Sequence, residues 1–123
     1  MVMGSERLLA VCGTLLLAVT SLLGFVQHRY RAQAEAFARW RVVHAGGTAG
    51  AVQLLALAGV WKYFPVGEFG AGLALALVVA TCAFVVGPLA RALDWPRTAR
   101  VVLALGAAIA LPAYLALPVA VLR

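Results

Sequence analysis

The sequence predicts an all-α integral membrane protein, a single domain built as a bundle of four transmembrane helices. Three observations carry that expectation. Hydrophobic residues fill 65% of the 123 positions and charged residues only 11%, more apolar surface than a soluble domain of this size can hide. The apolar positions gather into four runs, at about residues 8–26, 42–61, 69–90 and 99–122, each near the ~20 residues that a spanning helix needs. The arginines fall in the breaks between them. Because lipid offers backbone groups no partners, each run should be α-helical, and short connections should make neighbours antiparallel.

The first run, Leu8 to Val26, follows Glu6 and Arg7. No small-x-small site closes it, so it reads as a mature helix and not as a cleaved signal peptide. Leu9-Ala10-Val11-Cys12 lies too near the start, and Val11 is too bulky, for a lipoprotein cleavage site. The connection Gln27–Arg41 is basic and aromatic. It holds Ala32, Ala34, Ala36 and Ala38 and lacks Gly and Pro, so it extends a helix or lies at the interface. The second run, Val42 to Trp61, carries no charge. Pro65 and Gly67 make the next turn, and Trp95-Pro96 breaks the chain before the last run. Pro88, Pro112 and Pro118 are expected to kink their helices. Trp40, Trp61, Tyr63 and Trp95 stand at run ends, as an aromatic belt requires. One side carries Arg29, Arg31, Arg39, Arg41, Arg91, Arg97 and Arg100, and the other Arg7, Lys62 and Arg123. That asymmetry puts the arginine-rich side in the cytoplasm and both termini outside.

The net charge of +6 would suggest nucleic acid in a soluble protein, but arginines confined to short loops set membrane orientation instead, so no nucleic-acid partner is expected. Cys12 and Cys82 lie inside apolar runs without a CxxC or zinc spacing and read as packing residues. Glu6, Glu35, Glu68 and Asp94 lie outside the runs or at their margins. A proton-coupled exporter needs an intramembrane carboxylate, so that class is a poor fit. Paired-carboxylate catalysis fails for the same reason, and no G-x-S-x-G nucleophile motif appears.

What remains is His44, the histidine within an apolar run, followed by Gly46, Gly47, Thr48 and Gly50. One reading is a helix-end imidazole that faces headgroups or bonds a neighbouring helix. The other is an axial ligand to haem iron, a common task of neutral imidazole. Helical spacing puts Gly47, Thr48 and Ala51 on the face of His44, where small side chains would let a flat macrocycle approach. Gly46-x-x-x-Gly50 is equally a helix-packing motif. Thr14, Thr20, Ser21, Thr48 and Thr81 should bond back to their own helices. Gln53 cannot do so, and nine residues after His44 it points to the opposite side, so the two should not meet within one subunit; in an oligomer Gln53 would face a site on a neighbour. His28 reads as a solvated loop residue.

These residues have a family likeness. Glu6-Arg7-Leu8-Leu9-Ala10 continuing to Gly13, then Trp40-Arg41-Val42-Val43-His44-Ala45-Gly46, then Pro112-Ala113-Tyr114-Leu115 occur in the order and spacing found in styrene oxide isomerases. The chain resembles that family, small four-helix membrane enzymes that hold haem b and convert epoxides to carbonyl compounds. The likeness rests on the order of the stretches across most of the chain, with few identical positions. It implies that His44 ligates the haem iron, and helical spacing then puts Gly47, Thr48 and Ala51 against the haem. It implies a hydrophobic epoxide as substrate, a homotrimer with haem between protomers, and a multi-pass place in a bacterial inner membrane. The reaction implied is opening of the epoxide at Lewis-acidic ferric iron followed by a 1,2-shift.

The departures are specific. Gly50 stands where the family has an asparagine that positions substrate. Thr81-Cys82-Ala83-Phe84-Val85-Val86-Gly87 replaces a stretch with asparagine and tyrosine late in the third helix, and the first loop is shorter and more basic. A different, apolar epoxide with Gln53, Thr81 and Tyr114 as catalytic contacts is one expectation. The others are a non-catalytic haem or electron-transfer protein and a cofactor-free structural subunit in which His44 and the glycines only pack helices.

Overall fold

The computed structural model describes residues 4–122. Four long helices account for nearly all of them: α1 (Ser5–Arg29), α2 (Ala34–Val60), α3 (Gly70–Ala92) and α4 (Pro96–Val121). All four are long and apolar enough to cross a membrane. The all-α, four-helix expectation holds; the boundaries differ most in the first connection. Gln27–Arg41 is not a loop. α1 runs on to Arg29 and α2 begins at Ala34, leaving four residues, Tyr30 to Gln33, as the turn. The alanines of that stretch favour helix, and stacking of Tyr30 on Trp40, with centroids 6.1 Å apart and rings 6° from parallel, closes the hairpin. His44 therefore lies ten residues into α2, about 15 Å along it, and not just inside a helix start.

The α3–α4 corner is built by a Schellman closure. Asp94 takes a left-handed φ of 60°, while Trp95 N–H donates to Ala90 O (2.8 Å) and Asp94 N–H to Arg91 O (3.2 Å). These bonds satisfy the carbonyls that the end of α3 would orphan. Pro96 then starts α4, where its missing N–H costs nothing. The same turn aims the Asp94 carboxylate at Arg39, whose Nη1 donates to Oδ1 at 2.6 Å. The α2 start and the α3–α4 corner thus share one end of the molecule, as the alternating topology expects. At the other end, Pro65 lies between two single-turn 3-10 helices, Trp61–Tyr63 and Gly67–Phe69, and Gly67 opens the second.

Packing is uneven. α1, α2 and α3 touch one another, while the α4 backbone runs beside α3 alone. A core of Leu9, Leu54, Trp61, Leu77, Val78 and Leu117 fills the end near the 3-10 turns. Elsewhere helices meet at glycine. A Cβ on Gly13 would lie 3.1 Å from the Ala51 carbonyl oxygen, one on Gly50 would lie 2.7 Å from Thr81 Cγ2, and one on Gly106 would lie 2.7 Å from Ala83 Cβ. Gly46 is different: nothing stands within 4 Å of its open side. The packing pair on α2 is Gly47 with Gly50, turned to α1 and α3, and not Gly46 with Gly50. Cys12 is half-buried as expected of a packing residue, but Cys82 is exposed. Pro88, Pro112 and Pro118 lie inside α3 and α4, and both helices run on through them.

Because Ala83 Cβ cannot swing aside, Gly106→Ala should destabilise the protein by roughly 1–2 kcal/mol, overpacking outweighing the helix propensity gained. Thermal unfolding in detergent should show the loss, and adding Ala83→Gly should reverse most of it. A Gly106→Ala protein as stable as the parent would contradict this packing.

Candidate functional site around His44

α2 presents Val43, Gly47, Ala51 and Leu54 inward as its buried stripe, and His44 sits at the edge of it, half-buried against α1. Its Nδ1 lies 2.7 Å from the backbone oxygen of Thr20. A carbonyl only accepts, so Nδ1 must carry the hydrogen and donate it. The lone pair is then on Nε2. No hydrogen bond among the described residues reaches Nε2, and it is not among the fully buried polar atoms. The ring lies against Gly24, where a Cβ would stand 3.0 Å from Cε1 and 3.2 Å from Nδ1. Glycine at that position gives the imidazole its seat. Thr20 and Gly24 were invisible as site residues because a backbone acceptor and a missing side chain leave no motif; Thr20-Ser21 marked only a polar spot in the first run.

The expected flat wall beside His44 is occupied by the protein itself. A Cβ on Gly47 would collide with the Thr20 methyl, and Ala51 is fully buried against α1 near Gly13. Thr48 donates to the His44 carbonyl at 2.9 Å. The other membrane-run hydroxyls behave alike: Thr14, Thr20, Ser21 and Thr81 each donate to a carbonyl three or four residues earlier. What stays open beside His44 on α2 is the exposed pair Ala45 and Gly46.

The other candidate residues lie elsewhere. Thr81 is buried on α3, its methyl against Gly50, and it lies beside the Tyr114 hydroxyl of α4. Gly50 and Thr81 thus meet inside the bundle, while Tyr114 is half-buried on α4. Gln53 is exposed on the outer side of α2, away from the inward stripe, as its spacing from His44 expects. His28 is exposed and accepts from Arg31 Nη1 at 3.3 Å, a solvated helix end.

For a haem, the donor fits and the wall does not. Ligating histidines carry their second ring N–H to a carbonyl or carboxylate, which orients the ring and leaves Nε2 for the metal; His44 has that arrangement. Gly47 and Ala51 are taken up by α1, and none of the three main grooves includes His44. Among the described residues there is no cluster of three His, Cys, Asp or Glu side chains suited to a bare metal ion, so a metal here would bring its other ligands with it. The fold and site define an all-helical protein of four potential membrane spans with one oriented, unpartnered imidazole nitrogen. No protein-family model matches the chain, and neither a curated protein nor a solved structure shows significant similarity to it.

Histidine-selective ¹⁵N labelling at alkaline pH should find the His44 ring as the Nδ1–H tautomer. Gly24→Val, which thrusts a branched side chain into the ring, should abolish that preference. A dominant Nε2–H form in the parent protein would overturn the assignment of the lone pair.

Proposed function

We propose that the chain is a multi-pass membrane protein that binds haem b through Nε2 of His44 and isomerises a hydrophobic epoxide to a carbonyl compound. The supporting observation is the Nδ1–H donation to Thr20, which leaves an accessible nitrogen lone pair on a ring whose angle is fixed. Bound there, haem supplies Lewis acidity toward an epoxide oxygen, the chemistry that ring opening and a 1,2-shift require. The chain's own part is to hold the imidazole oriented, with Nδ1–H on the Thr20 carbonyl and Nε2 left for the iron. Its apolar surroundings exclude water, which would otherwise add to an opening epoxide. None of the three grooves described includes His44, so a haem there would need a second copy over the outer face of α1 and α2, a need that the homotrimer implied by the resemblance would meet. Gln53, on the outer side of α2, is then free to contact a neighbouring protomer or its substrate. Thr81 and Tyr114 act only if substrate reaches the bundle interior.

A second reading is favoured by the same hydrogen bond. His44 to Thr20 joins α1 to α2, and Gly47 seats the Thr20 methyl, which suffices for a cofactor-free packing role. The discriminating measurement is an absorption spectrum of the purified, haem-supplied protein beside His44→Ala. A Soret band in the parent and none in a folded variant is the expected result, followed by epoxide turnover from the resting ferric protein. A colourless parent would sink the haem reading and leave the packing one. A band without turnover, but with redox cycling by a donor, would favour electron transfer.

Insertion has its own test. With Cys12 and Cys82 replaced by Ser, a Glu68→Cys protein in intact cells should react with a membrane-impermeant maleimide and an Ala32→Cys protein should not. The reverse pattern would invert the proposed orientation, with the arginine-rich side outside.

A further inference from the structure

Because α4 runs beside α3 and not beside α2, a cleft stays open between α2 and α4 with α3 as its floor. At the arginine-rich end it widens to a groove of about 380 Å³. Ala38 and Val42 of α2, Pro88 and Ala92 of α3 and Leu103 of α4 line it, and Arg39 and Arg91 stand at its mouth. Outward, the groove continues onto a polar shelf with Glu35 and Asp94.

The two guanidiniums at the mouth are not equivalent. Arg39 faces Asp94 at 2.6 Å and Glu35 at 3.4 Å, so both carboxylates of the shelf lie on one arginine. Arg91, in the last turn of α3, is exposed and makes no ion pair among the described residues. An unpaired cation above an apolar slot matches one kind of molecule, an amphiphile with an anionic head and a hydrocarbon tail. A guanidinium forks onto two phosphate oxygens, while the aliphatic lining has nothing to offer but dispersion. Seven arginines against the two carboxylates Glu35 and Asp94 at this end of the chain favour net negative headgroups over zwitterionic ones.

We propose that this groove is a site for an anionic phospholipid, one acyl chain lying between α2 and α4 and the phosphate held by Arg91. The inference rests on membrane insertion and is independent of haem, since the lining residues of α2 face away from His44.

The test uses the purified full chain, delipidated in detergent and titrated with phosphatidylglycerol or phosphatidylcholine, read by native mass spectrometry and thermal unfolding. Phosphatidylglycerol should be retained and raise the unfolding temperature; phosphatidylcholine should do neither. Arg91→Gln should weaken retention about tenfold, the loss of one charge-assisted contact, without changing lipid-free stability. Val42→Trp, which fills the slot from an exposed position, should also expel the lipid. Arg97→Gln, at the same end but outside the groove, should leave retention intact. Equal retention by the parent and Arg91→Gln, or equal losses from Arg91→Gln and Arg97→Gln, would overturn the site in favour of diffuse attraction. Oleate bound as tightly as phosphatidylglycerol would overturn the phosphate assignment.

Discussion

Close approach of helix backbones at glycine is the constraint on which this molecule depends. In a bilayer, burial would not choose which faces of so uniformly apolar a chain meet, because hydrocarbon outside a helix would be as welcoming as hydrocarbon beside it. Shape must choose instead. Gly13 admits Leu54 and Leu55, Gly47 admits the Thr20 methyl, Gly50 admits Thr81, Gly87 admits Leu103 and Gly106 admits Ala83. Each pair brings many weak dispersion contacts into range that a single Cβ would forfeit. Gly24 belongs to the same set, with an imidazole as its guest.

The hydrogen bond from His44 to Thr20 serves two readings at once. As an interhelical bond in apolar surroundings it holds α1 to α2. As a constraint on the ring it fixes which nitrogen bears hydrogen, and so which nitrogen stays basic. Packing and ligation are therefore not opposed demands on this residue. A histidine kept only for adhesion would still acquire, as a by-product, the orientation that a metal ligand needs.

Much of the fold was legible because hydropathy reports directly on spans. Helix ends were not legible, since hydropathy marks where apolar sequence stops and not where hydrogen bonding stops. That difference left the start of α2 unplaced within Gln27–Arg41, although the alanines there marked the stretch as able to extend a helix. The phase of α2 was obscure for a related reason: Ala45, Gly46, Gly47, Ala49, Gly50 and Ala51 are all small, so no bulky side chain marks an inward face. Gly46 looked as good a packing residue as Gly47. The partner of His44 was beyond reach, since any residue offers a carbonyl. Likewise nothing in the text of the chain joins Arg39 to Asp94 across 55 positions. The outward position of Gln53, which needed only the geometry of one helix, was readable.

The solitary attachment of α4 has a consequence for how the structure comes apart. With one neighbour along its length and a single short corner at its start, α4 has the least to lose by separating, so the cheapest partial opening of the protein is the departure of this helix. Tyr114 leaves with it and Thr81 is uncovered, while α1, α2 and the imidazole clasped between them stay as they were. Two sets of residues that look like parts of one interior thus belong to units of different endurance.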